Sequence, residues 1–545
     1  MAMKCYSGKC VYPGVAFGTA FLLQKTKIII DESPAENFQL EWERFEDAKR
    51  LADAELELLF QRTLQELGED EAGIIDVQRM ILEDGDFIET VRTRIMDEAC
   101  RAAHAVSRAG RHFYEIFAKL DDPYMKARAP DIADAAHRIV RILTLGKEEI
   151  KLTQPSIVIA DLLAPSEIVQ LDKSLIRALV FRQGAANSHA AILARNLRIP
   201  SLIRTDITLD MEFNGLPAAL DSHNGRLYIE PDKAVIQKLE SLRESDRKEE
   251  AELEKLKYLP TVTADGQKIN LFANIDRPED LEAVLANGAE GIGIFRSEFL
   301  YLSRDDYPGE DEQFEAYRSV AEGMKGRPVT IRTMDIGADK GISYFGLEPE
   351  ENPALGFRAV RICFERPDIF RTQLRAIYRA SAFGNISIMF PMIASLWELR
   401  RCKEAAANVR EELAGEGISY GKVPLGAMIE TPAAALIADE LAREADFFSV
   451  GTNDLTQYTL AVDRQNEKLT AYSDPHHPAV LKLLQLIAES ACRAGIWAGI
   501  CGELASDPEL IEIFLQMGYI ELSVSPGFIF KTRQKIRSIR VRGKQ

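Results

Sequence analysis

The chain has 545 residues, of which 46% are hydrophobic and 28% charged, and its formal net charge is −18. This length predicts several domains, and the composition is typical of a globular protein. The acidic charge argues against partners that require a basic face, such as nucleic acid or an anionic membrane, and no apolar run reaches the ~20 residues of a membrane span.

Seven cysteines are scattered along the chain, without metal-ligand spacing or a paired arrangement. This distribution favours reduced thiols, which are typical of a cytoplasmic protein. The N-terminal residues lack the uninterrupted apolar core of a signal peptide. We therefore expect a cytoplasmic protein.

The first half of the chain combines strands with a block of helices. Apolar spacing predicts strands at Ala16–Leu23 and Ser156–Ala160 and an antiparallel helical bundle between them. The helical segments are Glu41–Leu67, Ile74–Leu82, Phe87–Ile95, Ala102–Leu120 and Ile132–Leu143. The pattern indicates one α/β domain, residues 1–35 and 145–230, into which a bundle, residues 36–144, is inserted.

A histidine follows the next predicted strand. The apolar stretch Leu175–Phe181 leads into a small-residue turn, and a helical pattern that begins near His189 leads out of it. Helix N-termini attract anions through their free N–H groups and the helix dipole. His189 is therefore either a nucleophile that accepts a phosphoryl group or a polar residue that caps a helix.

The second half begins with a charged helix and continues as alternating strands and helices. Residues 231–260 are rich in helix formers with opposite charges three or four apart, which predicts a solvated linker helix. Eight strand candidates follow in residues 261–545, and this repeat predicts a (β/α)8 TIM barrel. They are Ile269–Ile275, Gly291–Arg296, Val329–Met334, Ile386–Met392, Leu425–Glu430, Phe447–Gly451, Trp497–Gly502 and Ile520–Val524. The predicted fold is a multidomain α/β protein.

Arginines recur where these strands end. The set consists of Arg296, Arg332, Arg358 and Arg464. Each arginine interrupts or follows an apolar run, and a buried guanidinium requires a partner. The partners are either neighbouring carboxylates, such as Glu298 or Asp335, or a ligand. Because several arginines converge on one barrel mouth, we expect a small, multiply charged anion that they bind through bidentate contacts.

Carboxylates and a thiol follow other strands. Glu430 and Asp454 end neighbouring strands, and Mg²⁺ is commonly held by one or two carboxylates, water and substrate oxygens. We therefore expect Mg²⁺ at these two residues. Cys501 ends the seventh strand, where a thiol is either a small buried hydrophobe or a proton donor.

The motifs of this chain resemble those of enzyme I of the bacterial phosphoenolpyruvate:sugar phosphotransferase system. They follow the order of that family and extend over nearly the whole chain. They include Pro13-Gly14-Val15, Ser188-His189, Phe295-Arg296-Ser297-Glu298, Arg332-Thr333-Met334-Asp335, Gly356-Phe357-Arg358, Glu430-Thr431-Pro432, Gly451-Thr452-Asn453-Asp454 and Cys501-Gly502-Glu503. The chain departs from the family at Ala185-Ala186-Asn187, where relatives carry Gly-Arg-Thr before the histidine.

The resemblance implies a mechanism. Phosphoenolpyruvate binds in the barrel, His189 accepts its phosphoryl group, and Cys501 protonates the departing enolate to give pyruvate. The helical bundle then docks the small acceptor protein HPr, and the barrels form a homodimer. The implied ligands of phosphoenolpyruvate are Arg296, Arg332, Lys340, Arg358, Asn453 and Arg464, with Mg²⁺ on Glu430 and Asp454.

Three other functions fit parts of the pattern. Phosphoenolpyruvate synthases and pyruvate phosphate dikinases share such a histidine domain and barrel, but they need an additional ATP-binding domain. A paralogue that feeds a regulatory, nitrogen-type phosphorelay would carry the same site residues. A non-catalytic regulator that only binds HPr would not require the arginine, carboxylate and cysteine set.

Overall fold

The computed structural model describes residues 3–23, 30–67, 69–119, 128–145, 152–161, 171–184, 194, 199–209, 211–302, 304, 306–340, 342–464 and 466–541. The chain divides into two compact units, Met1–Lys248 and Glu249–Gln545. No helix in these ranges combines the length and the apolar character needed to cross a bilayer.

The first unit contains a mixed sheet whose described strands run in the order β1-β8-β7-β3-β4-β5-β6-β2. Strands β3 to β6 pair in parallel, and β7 pairs with β3 in the antiparallel direction. The strands are β1 Lys4–Ser7, β2 Lys9–Tyr12, β3 Val15–Leu23, β4 Ser156–Ala160, β5 Ile176–Phe181, β6 Ser201–Ile203, β7 Pro217–Asp221 and β8 Arg226–Ile229. Strands β3 and β4 are neighbours in the sheet although a helical segment separates them in the chain.

The helices between β3 and β4 share a hydrophobic cluster with one face of this sheet. Phe45 and Val91 from the helices lie in the same cluster as Val158 and Leu179 from the strands. The close approach of two helices depends on Gly110, because a Cβ there would meet the Cβ of Ala136 at 2.4 Å. The helices are α1 Phe38–Leu67, α2 Glu69–Glu83, α3 Gly85–Met96, α4 Ala102–Ala118 and α5 Ala129–Leu145.

A long helix, α6 (Lys233–Glu254), follows the sheet, within the segment predicted to be a linker. Two side-chain contacts join it to the sheet. His223 Nε2 lies 3.1 Å from Asp246 Oδ2, and the Arg243 guanidinium lies 4.8 Å from the centre of the Phe17 ring. The middle of α6 is therefore attached to the sheet by an ion-pair geometry and a cation–π contact.

The second unit is a closed barrel of eight parallel strands, which confirms the predicted fold class. Each strand lies within two residues of its predicted bounds. They are β9 Asn270–Ile275, β10 Ile292–Arg296, β11 Val329–Arg332, β12 Ile386–Phe390, β13 Leu425–Ile429, β14 Phe447–Val450, β15 Trp497–Ile500 and β16 Glu521–Val524. The outer helices are α7 Leu281–Ala286, α8 Glu310–Gly323, α9 Val360–Glu365, α10 Pro367–Ala380, α11 Leu396–Gly415, α12 Pro432–Leu436, α13 Ala438–Leu441, α14 Thr452–Leu460, α15 Pro478–Ala494, α16 Ile511–Met517 and α17 Ile529–Ser538.

Arg533 joins the segments at the amino end of the barrel. Its guanidinium is 1% exposed and donates to the carbonyl oxygens of Leu256, Lys257 and Gly288 at 2.6–3.1 Å. These carbonyl groups precede strands β9 and β10, so one side chain of α17 satisfies three backbone acceptors at once. At this end of a TIM barrel, residues are expected to contribute to stability rather than to catalysis.

We expect Arg533→Met to lower the free energy of unfolding by about 3 kcal/mol, because three carbonyl groups lose their donor. The change should lower the thermal midpoint of the full chain by about 5 °C. Arg537→Met is the matched control, since Arg537 is only partly buried and donates to one carbonyl group, that of Pro260. Equal midpoints for the two variants would contradict the role assigned to Arg533.

Candidate active site at the carboxyl end of the barrel

A cavity of about 1260 Å³ opens at the carboxyl ends of the barrel strands. Its wall contains eight of the residues singled out from the sequence, which are Arg296, Arg332, Lys340, Arg358, Asn453, Asp454, Arg464 and Cys501. Glu430 is not part of this wall, because its side chain is fully buried behind it. The fold therefore collects residues from a span of more than 200 positions into one concave surface.

Arg332 lies at the end of β11 and is 8% exposed. Its Nη2 donates to Glu298 Oε1 at 3.0 Å, and its Nη1 lies 3.2 Å from Asp335 Oδ2. Burial alone opposes the charge on Arg332, but the two carboxylates outweigh this effect and raise its pKa. Arg332 is therefore a fixed positive charge with a fixed orientation.

Asp335 also holds the second buried arginine. Arg358 donates to Asp335 Oδ1 from Nε at 3.1 Å and from Nη2 at 2.8 Å. Burial by itself would raise the pKa of Asp335, but Arg332 and Arg358 outweigh it and hold the pKa below its usual range. Two arginines and Asp335, with Glu298, form a charge-paired floor of the cavity, so carboxylate pairing does occur at these arginines.

The other cations of the cavity wall are more exposed. Arg296 Nη1 lies 2.6 Å from Asp276 Oδ1, and the Arg296 side chain is 40% exposed. Lys340 lies 3.4 Å from Asp339, and Arg464 lies 3.4 Å from Asp454. The pairs of Arg296 and Lys340 are exposed and contribute little to stability, so these two cations can exchange their carboxylate partners for a ligand at small cost. Arg464 is half-exposed, but its partner Asp454 is buried.

Asn453 is held by a reciprocal pair of hydrogen bonds. Its Nδ2 donates to Glu503 Oε1 at 3.3 Å, and the backbone N–H of Glu503 donates to Asn453 Oδ1 at 3.2 Å. The amide group thus connects the first turn of α14 with the segment after β15. A second donor of the wall, Tyr458, gives its hydroxyl proton to the carbonyl oxygen of Ala354.

The two carboxylates predicted to bind a metal each contain one oxygen without a hydrogen-bond donor. Glu430 Oε1 accepts from the backbone N–H of Met392 at 2.6 Å, whereas Oε2 has no donor. Asp454 Oδ2 pairs with Arg464, whereas Oδ1 has no donor. Burial, followed by the charge of Asp454, raises the pKa of Glu430 to about 8.

This pair fits a divalent cation. Two buried carboxylate oxygens without donors are costly unless a cation or a proton neutralises them. In the described part of the chain, no three His, Cys, Asp or Glu side chains gather in a metal-binding geometry. Mg²⁺ is commonly held by one or two carboxylates, with water and substrate oxygens as its other ligands, so a pair is a sufficient protein contribution.

Cys501 lies at the inner edge of the cavity and is 2% exposed. Its thiol donates to the carbonyl oxygen of Val450 at 3.5 Å. Burial raises the pKa of Cys501 to about 12, so the sulfur keeps its proton at neutral pH. The side chain therefore meets the first requirement of a proton donor, which is that the proton is present.

Some functional contacts were missed by the sequence analysis. Asp276, the partner of Arg296, follows β9 in an ordinary loop sequence and gives no signal. Glu521 is the charged residue of a short strand, and that charge could have indicated it. His189 and the turn Ala185-Ala186-Asn187 lie outside the described residues.

Three family models match the chain. The model described as "PEP-utilising enzyme, PEP-binding domain" matches residues 250–541. Those described as "PEP-utilising enzyme, N-terminal" and "PEP-utilising enzyme, mobile domain" match residues 7–128 and 152–225.

Curated relatives match over almost the full length. A protein of Bacillus sp. (strain S) named phosphoenolpyruvate-protein phosphotransferase is 39% identical over 98% of this chain and 93% of its own. Proteins of the same name from Staphylococcus carnosus and Haemophilus influenzae are each 41% identical over 98% of this chain and 94% of their own.

We expect Asp335→Asn to destabilise the protein by about 3 kcal/mol at neutral pH, because the variant leaves two buried guanidiniums without their shared carboxylate. Since the folded-state pKa of Asp335 lies below its usual range, this stabilisation is present above about pH 4 and is lost as the pH falls through the folded-state value. Urea midpoints measured at neutral pH and well below pH 4 test both statements.

Asp339→Asn is the matched control, because Asp339 pairs with the exposed Lys340 in the same loop. It should change the urea midpoint little at either pH. A midpoint for Asp335→Asn equal to that of this control would show that the buried network does not hold the cavity floor.

Proposed function

The chain belongs to the phosphoenolpyruvate-protein phosphotransferase family, and we propose from that membership which of its residues perform each part of the reaction. The enzyme takes the phosphoryl group of phosphoenolpyruvate and passes it to a protein acceptor, as the relatives named above do. The observation that carries the assignment of residues is the cavity at the barrel mouth. There, fixed and exchangeable cations lie close to two carboxylates, each of which keeps one oxygen without a donor.

The cations are suited to the two anionic groups of phosphoenolpyruvate. Arg332 and Arg358 supply positive charge whose position is set before the substrate arrives. Arg296, Lys340 and Arg464 replace their carboxylate partners with substrate oxygens, and Asn453 adds an amide donor. Such preorganised donors stabilise charge on a phosphoryl group in transfer without reorganisation at the moment of reaction.

Members of this family use a divalent metal. For this chain we assign Mg²⁺ to Glu430 and Asp454, since carboxylate oxygens are the ligands of a hard cation. When bound, the ion supplies positive charge beside the transferring phosphoryl group. Its binding would also satisfy Glu430 Oε2 and Asp454 Oδ1.

Two residues carry the chemistry in this proposal. The imidazole of His189 attacks phosphorus, the bond to the enol oxygen breaks, and phosphohistidine and an enolate result. Cys501 then gives its thiol proton to the methylene carbon of the enolate, which yields pyruvate. The protonated state of the buried thiol supports this second role.

The rest of the chain serves to carry the phosphoryl group from the barrel to the protein acceptor. We assign residues 1–35 and 145–230 to the swivelling phosphohistidine domain, residues 36–144 to the docking of HPr, residues 231–260 to the linker and residues 261–545 to the substrate-binding barrel. A histidine that meets two partners in turn requires such a movable domain. We also propose a homodimer formed through the barrels, in the cytoplasm, where seven free cysteines are expected.

The regulatory alternatives are less well supported. The curated relatives that match 98% of the chain carry the name of the general phosphotransferase, which disfavours a specialised nitrogen-type relay. A regulator that only binds HPr would have no need for a cavity lined with arginines. First-step phosphoryl transfer for sugar uptake is therefore the function proposed here.

Incubation with ³²P-labelled phosphoenolpyruvate and Mg²⁺ tests the nucleophile. We expect acid-labile label on the wild-type protein and none on His189→Ala, because the acceptor nitrogen is gone. His223→Ala is the matched control and should be labelled, since His223 lies beside the linker helix rather than in the reaction path. A chelator should prevent labelling of every variant. Label on His189→Ala would refute the assignment.

Cys501→Ala should slow pyruvate formation by about 100-fold and leave substrate affinity nearly unchanged, because protonation rather than binding is lost. Calorimetric titration with phosphoenolpyruvate and Mg²⁺ in a His189→Ala background separates affinity from turnover. Cys402→Ala removes an equally buried thiol from α11 and should keep the wild-type rate. Lost affinity in Cys501→Ala would make the thiol a structural residue instead.

A further inference from the structure

A third carboxyl group is enclosed by the barrel, below the cavity. Glu521 lies on β16 and is 1% exposed, and neither of its oxygens has a hydrogen-bond partner in the described structure. A buried carboxyl without partners is costly, and a leucine of similar volume would fill the same space without that cost. The function described above gives this residue no role.

The barrel makes room for Glu521 with two glycines. A Cβ at Gly293 on β10 would meet Glu521 Oε1 at 2.8 Å, and a Cβ at Gly499 on β15 would meet it at 3.1 Å. The side chain of Glu521 therefore occupies the space that these two neighbouring residues leave free. Two strand positions, one on β10 and one on β15, therefore lack side chains where this carboxyl group lies.

The second glycine also places Glu521 opposite a serine. Gly499 pairs with Ser449 of β14 on one side and with Glu521 of β16 on the other. The Ser449 hydroxyl is buried and has no hydrogen-bond partner in the described structure. Because strands lie about 4.8 Å apart, the serine and the glutamate face each other across the missing side chain of Gly499.

Cys501 lies one layer above this row, towards the cavity. It follows Gly499 by two residues, so both positions face the interior of the barrel. The Ser449 hydroxyl is close enough to moderate the acidity of the thiol, and the Glu521 charge acts on the same thiol. Glu521, Ser449 and Cys501 thus form a polar column that leads from the barrel interior to the cavity.

We propose that Glu521 is the proton reserve of Cys501 and restores the thiol through the Ser449 hydroxyl after each turnover. This inference rests on the proposed role of Cys501. The thiol S–H bond breaks when the enolate carbon takes its proton, and a thiolate remains. The Glu521 O–H bond then breaks, Ser449 accepts that proton and releases its own to sulfur, and a carboxylate remains. Once pyruvate has left the cavity, the proton that Glu521 lost is replaced from solvent along the same column, through Cys501 and Ser449.

The environment of the two acids gives this transfer its direction. Burial raises the pKa of Glu521 to about 8, so the carboxyl is protonated at neutral pH. Burial also raises the pKa of Cys501, to about 12. A proton therefore moves from the carboxylic acid to the thiolate with a favourable change in free energy. Because neither Glu521 nor the Ser449 hydroxyl has a hydrogen-bond partner in the described structure, the transfer requires a rotation that brings the two side chains together.

The test is Glu521→Gln in the full-length protein, a change that keeps shape but removes the acidic proton. The first turnover uses the proton already on Cys501, so the single-turnover rate of pyruvate formation should equal that of wild type. Steady-state turnover should fall about tenfold, because the Cys501 thiolate must then take its proton from solvent before the next turnover. Ser449→Ala should give the same separation of the two rates.

The pH profile gives a second, independent readout. Wild-type steady-state turnover should decline above about pH 8, where Glu521 is ionised and holds no proton to give. Glu521→Gln should lack this decline. Glu398→Gln, which changes a buried carboxyl of α11 outside the barrel interior, should keep both the wild-type rate and the wild-type profile.

A purely structural Glu521 would lower single-turnover and steady-state rates together at every pH, and that result would overturn the proposal. Wild-type behaviour of Glu521→Gln in both assays would overturn it as well. These failures are distinct from a failure of the proposed function, which would appear as wild-type turnover in Cys501→Ala or as label on His189→Ala.

Discussion

Two guanidinium groups buried at the carboxyl end of the barrel impose the constraint around which the cavity is organised. Arg332 and Arg358 cannot remain charged in that position without carboxylates, and Asp335 serves both of them while Glu298 serves one. Glu298 also accepts from the backbone N–H of Asp335 at 2.7 Å, so the loop after β11 is fixed by the same network. This one network therefore keeps the two arginines charged, fixes their orientation and sets the conformation of the loop after β11.

The free energy needed to break an ion pair of the cavity falls from this buried floor towards the exposed rim. The buried pairs would be expensive to break, because each would leave an isolated charge in a poorly solvated place. The exposed pairs of Arg296 and Lys340 have partners that water can replace. An anion entering the cavity therefore meets a rigid inner surface and an adaptable outer one. This arrangement suits a substrate that must bind, react and leave.

The sequence predicts the barrel well, because eight apolar strands with helical patterns between them repeat at regular intervals. Arg296 and Arg332 do end strands, whereas Arg358 and Arg464 reach the same cavity from segments that follow β11 and α14. All four lie on one side because the parallel strands of a barrel present their carboxyl ends together. The sequence could not decide between carboxylate partners and a ligand for these arginines. The structure resolves this at Arg332 and Arg358, where pairing with Glu298 and Asp335 produces the cavity floor rather than excluding a site.

Other features depend on contacts between residues far apart in the chain. The full burial of Glu430 follows from the packing of Gly451 against it, since a Cβ at that position would meet Oε2 at 2.6 Å. The pairing of Arg296 with Asp276 requires β9 and β10 to be adjacent in the correct register. Neither contact can be predicted from a local sequence pattern, because each depends on which strand positions face the same space.

Three carboxyl groups of the barrel show how such contacts, rather than residue type, decide chemistry. Burial alone would raise the pKa of each. At Asp335 two arginines reverse the effect, and the group is a permanent anion that holds cations in place. At Glu430 a second carboxylate adds to the effect, so the pair is suited to a divalent cation. At Glu521 no charge opposes burial, and the group is held as an acid. Environments that separate the pKa values of like groups assign them different tasks. The same reasoning that makes Asp335 structural thus makes Glu521 a proton source.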